Sequence, residues 1–136
     1  MLGLEGKVAF VFGVASQDSI AWGICKRLAE AGMHLYLGYQ KRFMSRVFQL
    51  KDQLPAIAGF YPLDVATDED TKGFFEAFAS EHPGVKADVM IHAIGFAPRA
   101  AFDRPILFVE DDDIATAMTV SYTQLRAHET RRYLVC

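Results

Sequence analysis

Residues 7–23 read K-V-A-F-V-F-G-V-A-S-Q-D-S-I-A-W-G, an apolar run followed by a glycine and a polar turn. The run at residues 7–12 is short and ends at Gly13, which is typical of a strand buried on both faces of a sheet. Asp18 and Ser19 are candidate N-caps of the helix that follows, because their side-chain oxygens can accept from its first free amides. A buried strand, a glycine and a capped helix predict the first βα unit of a parallel sheet.

The same alternation continues along the chain. The first helix has apolar positions at Ile20, Ile24 and Leu28, and Gly32 is its predicted stop. Further strands are predicted at 34–38, 59–63 and 88–94, and further helices at 42–54 and 67–81. Right-handed crossovers between these strands predict the order 3-2-1-4. The chain is therefore predicted to form the N-terminal half of a Rossmann-type doubly wound α/β fold.

Composition narrows the class of function. The chain has 136 residues, 51% hydrophobic and 23% charged, which indicates a globular domain. A net charge of -3 gives no electrostatic basis for nucleic-acid binding, and no apolar stretch is long enough for a membrane span. Two widely spaced cysteines suggest a cytoplasmic protein, and no metal-binding spacing surrounds either one.

In a doubly wound sheet a ligand lies across the carboxyl ends of the strands, where the strand order reverses. Gly13 and Ser19 follow the first strand and are suited to a pyrophosphate, although a glycine followed by a capped helix more often reflects plain packing of strand on helix. Gln40 follows the second strand, next to Lys41 and Arg42, which are either solvated charges or groups that approach a 2′-phosphate. Asp64 follows the third strand and is either an adenine ligand or a helix cap.

Two segments of the chain, residues 13–23 and 92–98, resemble the enoyl-acyl-carrier-protein reductases, a divergent branch of the short-chain dehydrogenase/reductases. Their cofactor loop has a glycine, five residues, then S-I-A, an aromatic residue and G, and residues 13–23 match that pattern. Residues 92–98 read H-A-I-G-F-A-P and resemble the family's H-S-I-G-F-A-P, with Ala93 as the departure. Gly23 is expected to let the first helix sit close to the sheet, and His92 is expected to be a satisfied core residue.

The resemblance implies an NADH-dependent reductase of bacterial type II fatty-acid synthesis, with NADPH as the alternative cofactor. It implies an enoyl thioester on acyl-carrier protein as the partner, and a homotetramer. The substrate-binding residue it implies is Ala97. The cofactor-binding residues it implies are Gly13, Ser19, Ile20, Gln40, Asp64, Val65, Ala93, Ile94 and Gly95.

The family's catalytic pair, a tyrosine and a lysine in the pattern Tyr-x6-Lys, does not occur in this sequence. The residues at the lysine position after the first four tyrosines are Phe43, Arg46, Asp68 and Glu129. We therefore expect residues 1–119 to be the N-terminal part of a dinucleotide-binding reductase domain and to be inactive alone.

The last residues of the chain suggest why the catalytic pair is missing. Residues 120–130, V-S-Y-T-Q-L-R-A-H-E-T, differ at Gln124 alone from a one-frame translation of a DNA adapter used in transposon-based sequencing libraries. We expect residues 120–136 to be a non-native tail derived from that adapter.

Two other functions remain open from the residues alone. Another short-chain dehydrogenase/reductase is one, although these usually carry T-G-x-x-x-G-x-G and N-A-G sequences that this chain lacks. A non-catalytic NAD(P)-binding module is the other, since it needs no catalytic tyrosine or lysine.

Overall fold

The computed structural model describes residues 3–121. Four parallel strands form one sheet in the order β3-β2-β1-β4, as predicted. The strands are β1 (Val8–Phe12), β2 (His34–Tyr39), β3 (Ile57–Pro62) and β4 (Val89–His92). The helices are α1 (Ile20–Glu30), α2 (Met44–Phe48), α3 (Asp68–Glu81), α4 (Arg99–Asp103) and α5 (Asp111–Ser121).

The central strand β1 is buried on both faces, and its side chains alternate between two cores. Ala9 and Val11 pack with α1 and α2 in the first core, on one face. Phe10 and Phe12 pack with α3 in the second core, on the other face. Helices therefore cover both faces of the sheet, which explains why residues 8–12 read as a continuous apolar run instead of an alternating one.

Helix α1 faces the sheet with a stripe shifted from the predicted one, of which Leu28 packs against the core and Ile20 does not. Its buried residues are Ala21, Trp22 and Cys25, whereas Ile20 is 80% exposed. The predicted role of Gly23 is also wrong, because Gly23 is exposed and a β-carbon there would meet no atom within 4 Å. The small side chains of Ala21 and Cys25 are buried in the core on this face of the sheet.

The single helix predicted over 42–54 is not continuous. The chain forms a 3-10 turn (Lys41–Phe43), the short helix α2 and a second 3-10 turn (Lys51–Gln53). None of these three segments has a side-chain cap hydrogen bond. Val47 and Leu50 are buried as the apolar stripe predicted, so tertiary packing fixes the segment without a regular helix.

Strand β3 begins two residues earlier than predicted and contains an irregularity. Its pairing with β2 shifts register between Leu35 and Tyr36. Pro62 is accommodated at the end of β3 because this strand lies at the edge of the sheet. At the opposite edge, Met90 of β4 is 37% exposed.

Beyond β4 the chain forms α4, a 3-10 turn (Ile106–Phe108) and α5. The predicted tail begins inside α5, where Val120 packs against the second core; residues 122–136 of that tail lie outside the described residues. No helix in residues 3–121 has the length and apolar character needed to cross a membrane.

Candidate cofactor-binding site

The ends of β1 and β4 meet closely at Gly13. The Ala93 amide donates to the Phe12 carbonyl at 2.9 Å, which extends the pairing of β1 and β4 past the last paired strand residues. Gly13 has a φ of +109° beside this contact. The backbone therefore turns into the following loop at the point where the strand order reverses.

The loop after Gly13 leads into the N-terminus of α1. Ser19 is the N-cap: its hydroxyl donates to the Ser16 carbonyl at 2.7 Å and accepts from the Trp22 amide at 3.4 Å. Within residues 3–121 the amides of Ile20 and Ala21 have no hydrogen-bond partner. Free amides at a helix N-terminus, together with the helix dipole, favour an anionic group at this position.

A cavity of about 480 Å³ opens at the carboxyl ends of β2 and β3. It brings together the residues that the sequence predicted at these two ends, Gln40 and Asp64. Its full lining comes from the end of β2, from the β3–α3 connection and the first turn of α3, and from α5 with the loop after β4: Gln40, Lys41, Arg42, Leu63, Asp64, Ala66, Asp70, Phe96, Thr116 and Val120.

The other predicted site residues are not part of this cavity lining. They lie at the ends of β1, β3 and β4: Gly13, Ser19, Ile20, Val65, Ala93, Ile94, Gly95 and Ala97. The predicted residues thus form two neighbouring groups along the same edge of the sheet.

Asp64 holds the turn after β3 and is not the cap of α3. Its Oδ1 accepts from the Ala66 amide at 3.0 Å. The cap is Thr67, whose hydroxyl accepts from the Asp70 amide at 3.2 Å and donates to the Asp70 carboxylate at 2.8 Å. Val65 is buried in the second core, and this anchors the turn that presents Asp64 to the cavity.

The loop after β4 is held by α5. The Ser121 hydroxyl accepts from the Phe96 amide at 3.1 Å and donates to the Phe96 carbonyl at 3.3 Å. Gly95 is exposed, and Ala93, Ile94 and Ala97 are half-buried. The backbone of residues 93–97 is therefore fixed at the strand end while part of it stays accessible.

The ring of His92 differs from the expectation. The Nε2 atom of His92 is buried without a hydrogen-bond partner among the described residues, so the expectation of a satisfied core histidine is wrong there.

Tyr61 has contacts that the sequence did not indicate. His82 Nε2 lies 3.2 Å from the Tyr61 hydroxyl, which also donates to Glu81 at 2.6 Å. Burial, with the Glu81 carboxylate beside it, raises the pKa of Tyr61.

Residues 3–121 contain no group of three or more His, Cys, Asp or Glu side chains placed to hold a metal ion.

Sequence reasoning missed the wall of the cavity formed by Phe96, Thr116 and Val120. The spacing of apolar residues in 99–121 gave no strong helix signal, and α5 has no buried residue. Its contacts arise from tertiary packing at Phe96 and at the second core, which no local pattern indicates.

The strand order, the glycine turn after β1 and the cavity at the carboxyl ends of β2 and β3 define a Rossmann-type α/β fold. A family model described as enoyl-(acyl carrier protein) reductase matches residues 13–129, so the match runs into the segment predicted to be a tail. The chain belongs to the enoyl-(acyl carrier protein) reductase family.

Two enoyl-acyl-carrier-protein reductases are similar to the chain in sequence. The chain is 33% identical over 126 residues to the enoyl-acyl-carrier-protein reductase (NADH) FabI of Synechocystis sp., covering 89% of this chain and 47% of that protein. It is 38% identical over 101 residues to the Haemophilus influenzae FabI, covering 74% of this chain and 37% of that protein. The chain thus spans about half the length of these relatives.

Solved structures of two enoyl-acyl-carrier-protein reductases are also similar to the chain. The enoyl-acyl-carrier-protein reductase (NADH) of Aquifex aeolicus superposes with a TM-score of 0.80 at 31% identity, over 96% of this chain and 51% of that one. The Anaplasma phagocytophilum reductase, solved in complex with NAD, has a TM-score of 0.77 at 28% identity, over 86% of this chain and 44% of that one.

Proposed function

We propose that this chain is the adenosine-binding half of an NADH-dependent enoyl-acyl-carrier-protein reductase that works in the cytoplasm in type II fatty-acid synthesis. The observation that carries the proposal is the cavity that joins Gln40 and Asp64 at the strand ends, beside the turn at Gly13. The relatives' NADH dependence supports the choice of cofactor. Acyl-carrier protein as partner and a homotetrameric assembly are parts of the same proposal.

The residues present fit such a cofactor. Gly13 leaves its turn free of a side chain, and the amides of Ile20 and Ala21 offer donors for a pyrophosphate, with the Ser19 hydroxyl close by. Gln40 and Asp64 line a cavity large enough for a nucleoside, and the Val65 amide is the predicted donor to its adenine. Ala93, Ile94 and Gly95 would border the nicotinamide end.

When bound, reduced nicotinamide supplies the hydride that adds to the β-carbon of a trans-2-enoyl thioester. The described residues would orient the reactants: the loop 93–97 would border the nicotinamide and, at Ala97, the acyl group. The enolate oxygen needs a hydrogen-bond donor and the α-carbon needs a proton. The Tyr-x6-Lys pair that the resemblance assigns to this task is missing from the sequence, so we propose that the 136-residue chain does not catalyse the reaction.

The test is binding of adenosine 5′-monophosphate to the 136-residue chain, measured by isothermal titration calorimetry. Asp64→Ala removes the proposed acceptor for the adenine amino group and should weaken binding by roughly tenfold, the effect of one hydrogen bond to a charged group. Asp52→Ala is the matched control, because Asp52 is exposed and outside the cavity lining. Equal affinities for the native chain and Asp64→Ala would contradict the proposed adenosine site.

A further inference from the structure

A hydrogen-bonded cluster joins the edge strand β3 to the end of α3. The Tyr61 hydroxyl donates to Glu81 Oε2 at 2.6 Å and lies 3.2 Å from His82 Nε2. Since the hydroxyl has a single proton and Glu81 accepts it, His82 Nε2 must be the donor in the second hydrogen bond. Glu81 is the last residue of α3 and His82 is its C-cap, so the tyrosine hydroxyl contacts both residues that end the helix.

The strand side of this cluster leads directly to the proposed adenosine site. Tyr61, Leu63 and Val65 alternate along the end of β3 and the following turn, and all three are buried in the second core. Asp64 lies between the last two of them, lines the cavity and accepts from the Ala66 amide. The anchoring of Tyr61 and the placement of Asp64 therefore concern one short stretch of chain.

The position of that stretch depends on α3. Strand β3 has a neighbour on one side only, and its pairing with that neighbour contains a register shift. Helix α3 begins close to Asp64, at the Thr67 cap, and its other end is bound by the Tyr61 hydroxyl. The ring of Tyr61 packs edge-on against Phe74 at 5.5 Å between centroids. Apolar packing alone permits small sliding movements, whereas a directional hydrogen bond to the helix end fixes where the strand end lies along the helix.

We propose that Tyr61 is a positioning residue for the adenosine site: its hydrogen bonds to Glu81 and His82 fix the end of β3 against α3 and thereby hold Asp64 at the cavity. The inference rests on the proposed adenosine site and adds the contact that places its adenine acceptor. Tyr61 is not part of the cavity lining, so it acts on a ligand only through the residues that follow it.

The experiment measures two properties of the 136-residue chain: the amide chemical shift of Ala66 by NMR without ligand, and the affinity for adenosine 5′-monophosphate by calorimetry. Tyr61→Phe removes the hydroxyl and keeps the ring. We expect it to move the Ala66 resonance and to weaken binding by about threefold to tenfold, as for other changes within a packed network that contact no ligand. Tyr36→Phe is the matched control, because Tyr36 is buried in the same core on β2 but takes no part in the hydrogen bonds to Glu81 and His82. It should leave both properties unchanged.

Glu81 provides a second set of variants at an exposed position, where substitution disturbs folding less. Glu81→Gln keeps an acceptor for the Tyr61 hydroxyl and should retain the native affinity and the native Ala66 resonance. Glu81→Leu removes the acceptor and should reproduce the effect of Tyr61→Phe. The double variant Tyr61→Phe/Glu81→Leu should lose no more affinity than either single variant, because all three remove the same interaction.

The outcomes separate this inference from the proposed function. If Tyr61 has a structural role only, Tyr61→Phe will lower the midpoint of urea unfolding while the folded variant keeps the native affinity and the native Ala66 resonance. That result would overturn the inference and leave the adenosine site in place. An equal loss of affinity in Tyr36→Phe would overturn it too, because the effect would not depend on the bonds to α3. If the native chain folds by circular dichroism but binds no adenosine 5′-monophosphate, the adenosine site fails and this inference fails with it.

Discussion

A β-carbon added to Gly13 would lie 2.2 Å from the carbonyl oxygen of Ala93 and 2.6 Å from its carbonyl carbon. Both atoms belong to the backbone of the segment that continues β4, so neither can rotate out of the way. The end of β1 and the end of β4 can approach this closely because residue 13 has no side chain. The loop between β1 and α1 therefore begins at a position where the packing of the sheet requires glycine.

The first prediction follows from that contact. Gly13→Ala should lower the free energy of unfolding by about 3 kcal/mol, because it adds a backbone clash to a strained positive φ. It should also abolish binding of adenosine 5′-monophosphate if the chain still folds. Unfolding by urea, followed by circular dichroism, measures the first effect.

Gly23→Ala is the matched control for this prediction. Gly23 is exposed within α1, and an added β-carbon would meet no atom within 4 Å. Alanine should therefore raise the free energy of unfolding by about 0.5–1 kcal/mol through helix propensity alone. Equal destabilisation by both substitutions would show that the contact between Gly13 and Ala93 does not determine stability at the turn.

The second prediction concerns the aromatic core between the sheet and α3. Phe74 is 2% exposed, and its ring lies edge-on to Phe12 at 5.0 Å and to Phe10 at 5.4 Å between centroids. Phe74→Ala should cost about 3–5 kcal/mol of stability through lost burial and a cavity. Urea unfolding of the two proteins measures this loss.

Phe102→Ala serves as the comparison, because Phe102 is 76% exposed on α4. This substitution should change stability by less than about 0.5 kcal/mol. A large loss from Phe102→Ala, or a small one from Phe74→Ala, would contradict the core that the structure assigns to α3.

The third prediction is a pH dependence. Burial raises the pKa of the Cys25 thiol from 9.0 to about 12, because the thiolate is disfavoured inside the first core. The unfolded chain loses this proton near pH 9 and the folded chain does not, so the stabilisation is complete below pH 9 and is lost as the pH rises toward 12.

For one group of this kind, the free energy of unfolding should fall by about 1.4 kcal/mol between pH 8 and pH 10. Cys25→Ala removes this contribution while leaving every other titrating group in place. Urea unfolding in the presence of a phosphine reductant at the two pH values should therefore give a smaller loss for the variant. Parallel losses in both proteins would mean that Cys25 is not shielded as the structure indicates.

Much of the fold could be predicted from sequence because its strands are buried and end at clear signals. The run 8–12 is apolar on both faces, Gly13 ends it, and Ser19 caps the next helix as expected. The strand-end residues Gln40 and Asp64 could be paired in advance, since the carboxyl ends of parallel strands meet at one edge.

The sequence-based predictions that were wrong or incomplete depend on tertiary contacts, which the local sequence pattern does not indicate. In α1 two neighbouring stripes are apolar, and the burial of Trp22 and Cys25 rotates Ile20 outward to solvent. In residues 42–54 the apolar stripe is real, but no cap fixes a helix, so packing of Val47 and Leu50 determines the conformation. The α5 wall of the cavity depends on tertiary contacts alone.

The last prediction concerns the sequence from residue 120 onward, which we propose is a non-native tail. Its support is the agreement of residues 120–130 with a translated sequencing adapter and the absence of a Tyr-x6-Lys pair. The measurement is to amplify the locus from the source DNA and to read past codon 119. We expect the frame to leave the adapter-like sequence and to continue into a tyrosine and a lysine in the Tyr-x6-Lys pattern.

That result would supply the donor and the ribose contact that the described half lacks, and the longer protein should then oxidise NADH in the presence of an enoyl thioester. The codons for residues 120 and 121, whose side chains contact the second core and Phe96, also locate the start of the tail. If the native residue at 121 is serine, both hydrogen bonds to Phe96 belong to the native protein and the tail begins after residue 121. If the DNA instead encodes residues 120–136 as given and stops, the chain cannot be a complete reductase, and a non-catalytic NAD(P)-binding module takes its place.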